Sequence, residues 1–257
     1  MNLNLAGHVI IVSGGAKGIG AAIVRQLAQE GARPVLLDTD AAAGERIVQE
    51  IQEAFFICVN LHDAQACASA IQTTVNRFGA LHGVVNNAGR NDGVGLETGS
   101  PDRFLTSLQE NCGHYFSLAH YGLPHLKKTR GSIVNIASKT AVTGQGGTSG
   151  YVAAKGAVLA LTREWAVELL PYSIRVNAVV PAEVDTPLYN SWLQTFPDPH
   201  AQKKIISQRV PLQNRFTTPA EIANTVCFLL SDQASHTTGQ WLFVDGGYTH
   251  LDRAITS

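Results

Sequence analysis

The sequence predicts an α/β protein: a doubly wound parallel sheet of about seven strands, in a single domain over residues 1–257. Three observations predict it. Short apolar, β-branched runs alternate regularly with longer segments of helical periodicity. The first run opens into a glycine-rich turn and then a helix, the order in which free backbone N–H groups can meet a phosphate. No linker or compositional break divides the chain, so the alternation builds one sheet with helices on both faces and right-handed crossovers.

Residues 8–13, His-Val-Ile-Ile-Val-Ser, suit a buried parallel strand. They enter Gly14-Gly15-Ala16-Lys17-Gly18-Ile19-Gly20, after which Ile23, Val24, Leu27 and Ala28 follow helical spacing. Glycine permits the tight turn and a close approach of backbone to pyrophosphate, and the next helix offers N–H groups and a positive dipole end. Pro34-Val35-Leu36-Leu37 is the second strand and ends in Asp38, 18 residues after Gly20. A helix over 41–53, a strand over 55–59 and a helix over 64–78 follow, and a strand over 82–85 leads into Asn86-Asn87-Ala88-Gly89. Helices are expected near 101–110 and 112–128, then a strand over 132–136, a long helix over 150–170 and a strand over 174–180. A helix-rich insertion near 186–210 is expected to act as a substrate lid within 186–212; a helix over 219–231 and a strand over 240–244 complete the set. This is the pattern of one Rossmann domain, which binds ligands outside the carboxyl ends of its strands where strand order reverses.

A carboxylate at Asp38 can accept both hydroxyls of an adenosine ribose and repels a 2′-phosphate, which favours NAD over NADP. Lys17 argues the other way, because a basic residue inside the turn can meet a phosphate. Close repulsion of two anions outweighs one solvated lysine, so NAD is the expected cofactor and NADP a secondary one. Further along, Tyr151 and Lys155 lie four apart, on one face of a helix, after Ser138. A tyrosine hydroxyl ionises near pH 10, and bringing it near 7 takes about 4 kcal/mol. A neighbouring ammonium supplies much of that, and a bound nicotinamide cation adds to it.

The net charge of −1 gives no electrostatic footprint for nucleic acid. His125, Lys127, Lys128 and Arg130 form the one local basic cluster and read as a solvated helix end before Gly131. No apolar stretch reaches the length of a membrane span, and the chain enters its first strand with no room for a targeting peptide. A cytoplasmic protein is expected. Cys58, Cys67, Cys112 and Cys227 have no metal or disulfide-motif spacing, the histidines form no H-E-x-x-H pair, and no metal site is expected.

Taken together, the glycine turn, Asp38, Asn86-Asn87-Ala88-Gly89, Asn111, Ser138, Tyr151, Lys155, and Pro181 with Thr186 resemble the short-chain dehydrogenase/reductase family over almost the full length. The resemblance implies that Tyr151 is the general base in oxidation and the acid in reduction. It implies that Ser138 holds the reacting oxygen, and that Lys155 depresses the tyrosine pKa and binds the nicotinamide ribose. Asn111 would hold a water linking Lys155 to solvent, and Thr186 would contact the nicotinamide carboxamide. Cofactor contacts are expected from Gly14, Lys17, Gly18, Ile19, Gly20, Asp38, Asn60, Leu61, Asn87, Ala88, Gly89, Tyr151, Lys155, Pro181, Val184 and Thr186. Departures from the family pattern are Ser13 for a threonine, Asn60 for an adenine-contacting aspartate, and Pro181-Ala182 for Pro-Gly, followed by the carboxylate of Glu183.

The expected substrate wall is polar: Asn91, Asp92, Lys139, Thr140, Gln145, Thr148 and Glu183, with Ser138 and Tyr151 at the reacting oxygen and Tyr189 and Trp192 in the insertion above. Polar groups in a dry pocket need partners, which a sugar supplies and a steroid or acyl chain does not. The segments 91–97, 181–184 and 245–253 look like those of the bacterial L-fucose dehydrogenase branch. That resemblance implies oxidation of an anomeric C1 hydroxyl to a lactone, with Glu183 and Asp92 gripping other hydroxyls. An oxoacyl reductase or hydroxysteroid dehydrogenase stays open as an alternative, as does a non-catalytic nucleotide sensor. Helix 150–170 is small or apolar around much of its circumference, and the family implies a homotetramer.

Overall fold

Residues Val9–Ser13 form β1, and every one of them is buried. Val9 and Ile11 enter one core while Ile10 and Val12 enter another, as the two-residue period of a strand requires. The computed structural model describes residues 2–251, so Asp252 and Arg253, part of the tail resemblance, lie outside the described residues. The other strands are β2 (Arg33–Asp38), β3 (Phe55–Cys58), β4 (Gly83–Asn86), β5 (Ser132–Ile136), β6 (Arg175–Pro181) and β7 (Trp241–Val244). All pair in parallel, in the order 3-2-1-4-5-6-7. This is the single-domain Rossmann sheet expected from the alternation. Strand order reverses at β1, between β2 and β4, and a crevice opens at the carboxyl ends there.

The helices are α1 (Gly18–Gln29), α2 (Ala41–Glu50), α3 (Ala64–Phe78), α4 (Pro101–Leu108), α5 (His114–Thr129), α6 (Thr140–Thr143), α7 (Ser149–Glu168), α8 (Pro187–Leu193), α9 (Pro199–Ser207) and α10 (Pro219–Leu230). Ile23, Val24 and Leu27 of α1 pack with Ile222, Val226 and Leu230 of α10 over one face of the sheet. Ile71 of α3, Leu118 of α5 and Val158 of α7 cover the other. The central strands are buried on both faces, which explains their unbroken apolar runs, while the edge strands β3 and β7 are only partly buried.

Element boundaries depart from the sequence expectation where local chemistry intervenes. α2 stops at Glu50, because Ile51 is extended (φ −128°) and a tight turn closes with the Ala54 N–H donating to the Ile51 carbonyl at 3.1 Å. Between α4 and α5 the chain makes a π-helical turn, Gln109–Gly113, so the helix expected from 112 begins at His114. The left-handed cap of α5 is Arg130 (φ +53°), not Gly131. Gly131 is needed for a different reason: a Cβ there would lie 2.3 Å from the His82 carbonyl oxygen.

Two buried asparagines tie the centre of the sheet to α7. Asn86 donates through Nδ2 to Asn135 Oδ1 at 2.9 Å, and Asn135 donates to Thr162 Oγ1 at 3.0 Å. Asn135 is thereby satisfied through both its oxygen and its nitrogen, whereas Asn86 pairs through Nδ2 alone and its Oδ1 is buried without a partner.

Candidate active site

The cleft over the strand ends has a volume of about 860 Å³, within the range of small-molecule sites. Its floor is the glycine turn. Asn87 Nδ2 donates to the Ser13 and Gly14 carbonyls at 2.9 and 3.2 Å, while Ser13 Oγ accepts from the Asn87 and Ala88 N–H groups at 2.9 and 3.1 Å. Ser13 thus performs by its hydroxyl the bracing that joins β1 to β4. Gly14 has φ +63°, and a Cβ on it would lie 3.0 Å from Ala88 Cα. Gly20 stands behind the cleft wall rather than in it; a Cβ there would lie 2.0 Å from the Gly14 oxygen, so its absence lets α1 close on the turn.

A dinucleotide fits these residues. Lys17 precedes α1 without a side-chain cap, and no acidic residue sits in the first turn, so the helix N-terminus faces the cleft with its donors available to an anion. The other expected cofactor residues line the same cleft, from Asp38, Asn60 and Leu61 at one end to Pro181, Val184 and Thr186 at the other. Thr186 caps α8 by accepting from the Tyr189 N–H at 3.2 Å, and its methyl group would lie 3.5 Å from a Cβ on Gly18, across the cleft. Lys17 forms an ion pair with Asp40, a carboxylate the sequence reading did not single out. The hydrogen bond from Lys17 and the Ala43 N–H hold the Asp40 carboxyl below its ordinary value. Asn60 Oδ1 accepts from the His62 N–H at 3.1 Å, so its carbonyl is already engaged in a turn.

Ser138, Tyr151 and Lys155 come together on the cleft wall. Ser138 follows β5, and its Oγ accepts from the Thr140 N–H at 3.3 Å and from Thr140 Oγ1 at 3.0 Å, leaving its own proton free to donate. Burial pushes the Tyr151 hydroxyl up from its ordinary value, and a hydrogen bond with Ser138 pulls against that rise. Lys155 lies near Tyr151 and is held there by two other groups. Its Nζ donates to the Tyr115 hydroxyl at 2.9 Å and the Ile136 carbonyl at 2.8 Å, and lies 5.8 Å from the centre of the Tyr151 ring. Two good acceptors satisfy the ammonium in a dry wall. Burial lowers the Lys155 pKa to about 7.

Asn111 is fully buried in the π-helical turn. Its Oδ1 accepts from the Arg90 N–H at 2.8 Å and its Nδ2 donates to the Ser107 carbonyl at 3.0 Å. The side chain therefore fixes the loop after β4, using one of its two N–H donors and one of its two oxygen lone pairs. A Cβ on Gly89 would lie 2.9 Å from Asn111 Oδ1 and 3.5 Å from Lys155 Nζ, so glycine lets these two groups converge.

The expected substrate residues divide. Tyr189 lines the cleft. Lys139 and Glu183, neither of which is in the cleft lining, form an ion pair next to Ser138, with Lys139 Nζ 3.6 Å from the centre of the Tyr248 ring. Glu183 is therefore a neutralised carboxylate, not the free one expected, and it also hydrogen-bonds Tyr189. Trp192 stacks edge-on against Tyr189 at 5.2 Å but stays outside the cleft lining. Asn91, Asp92 and Gln145 also stand outside it. Asn91 and Asp92 accept from the Gly93 and Val94 N–H groups, closing their own loop, and Gln145 is exposed in a glycine-rich segment. Among the described residues no cluster of side chains suits a metal ion, and no helix is long and apolar enough to cross a membrane.

A family model described as enoyl-(acyl carrier protein) reductase, of the short-chain dehydrogenase group, matches residues 14–249. An L-fucose dehydrogenase of Rattus norvegicus is 39% identical over 243 residues, covering 94% of this chain and 89% of its own. One of Bos taurus is 37% identical over 248 residues, covering 96% and 91%. Among solved structures, Cj0485 dehydrogenase superposes with a TM-score of 0.95 at 44% identity, covering 99% of this chain and 98% of that one. The ligand-free aldohexose dehydrogenase of Thermoplasma acidophilum gives 0.91 at 29% identity, covering 98% of each chain. The 3-ketoacyl-(acyl-carrier-protein) reductase of Brucella melitensis, complexed with NADH, gives 0.87 at 29%, covering 96% of this chain and 100% of that one. With this match across nearly its whole length, the chain belongs to the short-chain dehydrogenase/reductase family, nicotinamide-dependent oxidoreductases acting on CH–OH groups.

Proposed function

We propose that the protein oxidises the anomeric C1 hydroxyl of an aldopyranose, L-fucose or a close relative, to the lactone, with NAD as the preferred acceptor. The observation that carries the substrate class is the Lys139–Glu183 pair beside Ser138, with Tyr189 and Tyr248 against it. The pair has no net charge and, outside the cleft lining itself, places a donor and an acceptor next to Ser138, which does line it; that suits a neutral polyol. A steroid or acyl chain would cover these groups without satisfying them. The L-fucose and aldohexose dehydrogenases among the relatives support the same class.

The uncapped α1 N-terminus, Asp38 and the cleft wall from Asn87 to Thr186 would hold the dinucleotide. When bound, a nicotinamide accepts the hydride from C1. Tyr151 takes the hydroxyl proton, and Ser138 donates to the same oxygen, fixing it within reach. Lys155 carries the positive charge that favours ionised Tyr151 over its protonated form. Asp38 selects against a 2′-phosphate. The Lys17–Asp40 pair acts in the same direction, because it occupies the one ammonium in the turn.

The insertion after β6 acts as the lid: Leu188, Tyr189 and Ser191 of α8 reach the cleft. A homotetramer in the cytoplasm completes the proposal. Phe116 on α5 and Val167 on α7 are 55% and 68% exposed, apolar side chains that a contact between copies would cover. The test is reduction of NAD and NADP by the purified protein on a panel of aldoses and a hydroxysteroid. Turnover confined to sugars sharing the L-fucose ring configuration supports the proposal, and turnover of the steroid alone ends it.

A further inference from the structure

We infer that Tyr115 is a positioning residue for the active site: its hydroxyl and the Ile136 carbonyl form a socket that fixes the Lys155 ammonium and thereby sets the pH at which Tyr151 becomes a base. Tyr115 is fully buried, one turn of helix beyond Asn111, at the start of α5. Its hydroxyl donates to the Ile136 carbonyl at 3.1 Å and accepts from Lys155 Nζ at 2.9 Å. Lys155 Nζ donates to the same carbonyl at 2.8 Å, closing a triangle of one hydroxyl, one ammonium and one carbonyl. The hydroxyl is thus aimed at the lysine rather than at solvent or substrate.

The surroundings make that contact count. Among the described residues Lys155 has no carboxylate partner; the titratable groups that face it are Cys112 and His114 from the π-turn and α5, Tyr115 itself, and Tyr151 on its own helix. Burial disfavours its charged form; Cys112 opposes this electrostatically, and the bonded acceptors, the Tyr115 hydroxyl and the Ile136 carbonyl, are neutral. A charge-assisted hydrogen bond to Tyr115 stabilises the ammonium where an ion pair is missing. Removing that acceptor while keeping the ring should make the lysine lose its proton at lower pH. Less positive charge then stands near Tyr151, whose ionisation moves up.

This inference rests on Tyr151 and Lys155 acting as the acid–base pair, and the experiment separates the two. In Tyr115→Phe, the acid limb of the kcat profile for sugar oxidation should move up by on the order of one pH unit, with kcat at pH 7 falling about tenfold. A readout without cofactor accompanies it: the ionisation of Tyr151, taken as the ultraviolet difference between proteins with and without Tyr151→Phe, should move in the same direction. A fluorinated tyrosine at position 115 keeps the ring, the hydroxyl and the fold while weakening the acceptor, and should give a smaller shift of the same sign. A limb that stays in place or moves down in both proteins overturns the socket, whatever happens to melting temperature. Full turnover by Tyr151→Phe would overturn the acid–base assignment itself; an inactive Tyr151→Phe with an unmoved limb in Tyr115→Phe would overturn only the role of Tyr115.

Discussion

The carboxylate of Asp38, at the end of β2, accepts a hydrogen bond from the backbone N–H of Ala16 in the glycine turn at 3.1 Å. Its other oxygen accepts from the Asp40 N–H at 3.1 Å. Both oxygens are therefore held in place at the mouth of the cleft, and a second carboxylate, Asp40, is positioned two residues on to pair with Lys17. Acidic charge is fixed here by the backbone, which is why a 2′-phosphate should be poorly received.

Replacing Asp38 by Ala should lower kcat/KM for NAD and raise it for NADP, changing their ratio by at least about tenfold, or roughly 1.4 kcal/mol. Adding Asp40→Ala frees Lys17 to meet the phosphate and should favour NADP further. Initial rates with both cofactors check this. A ratio unchanged in the double variant would mean that these acids do not set cofactor choice.

Tyr151→Phe should reduce kcat by on the order of 10²–10⁴, the scale of a positioned general acid or base. Ser138→Ala should also lower kcat, because it removes the group that opposes the rise in the Tyr151 pKa and, on the proposed mechanism, the donor to the reacting oxygen. Binding of NADH, followed by fluorescence, should survive both changes. Lost binding in Tyr151→Phe would assign it to cofactor affinity rather than proton transfer.

Acid should destabilise the protein through His114. Burial holds its imidazole down to about 3, despite its contact with the Ala88 backbone, whereas the unfolded chain titrates near 6.5. Between those values the unfolded state binds a proton that the folded state does not, so the stabilisation is complete above the unfolded pKa and is lost as pH falls toward the folded one. Melting temperature should drop by on the order of 3 °C per pH unit from this proton. In His114→Phe the slope below pH 6 should be shallower. Superimposable profiles would assign the acid sensitivity elsewhere, for instance to His8 and His82, which burial also depresses.

Glu183→Gln strips the buried Lys139 of its counter-charge. Stability should fall, by up to about 3 kcal/mol, since one member of a buried pair is left uncompensated. KM for the sugar should rise with a smaller effect on kcat, as expected for binding shared by ground and transition states. Calorimetry and steady-state kinetics read the two effects separately. A variant less stable but with unchanged KM would confine the pair to a structural role.

The fold was legible because central strands buried on both faces leave continuous apolar runs, and because Gly14 and Gly18 take positive φ in the turn while Gly20 sits where a side chain would strike it. Asp38, Ser138, Tyr151 and Lys155 were legible from spacing, since each follows a strand end or shares a helix face. Tyr115 was not. The π-turn before it changes the helical register, so counting residues from Asn111 does not reveal which side chain meets Lys155. The Lys139–Glu183 contact joins residues 44 apart, and depends on β5 lying next to β6, where the Lys139 N–H donates to the Pro181 carbonyl at 2.9 Å. Asn91, Asp92 and Gln145 were polar in the right stretches, but two of them close turns and the third is exposed, fates that composition does not distinguish from a pocket wall.

The most direct test of a sugar dehydrogenase built on this cleft is NAD reduction by the purified protein with L-fucose, D-arabinose, L-galactose, D-glucose and a hydroxysteroid, with the product identified. Turnover should be confined to aldoses that share the L-fucose ring configuration, and should yield the lactone or its hydrolysis product. No turnover of any sugar, with oxidation of the steroid, would contradict the substrate class while leaving the family and the cofactor cleft intact.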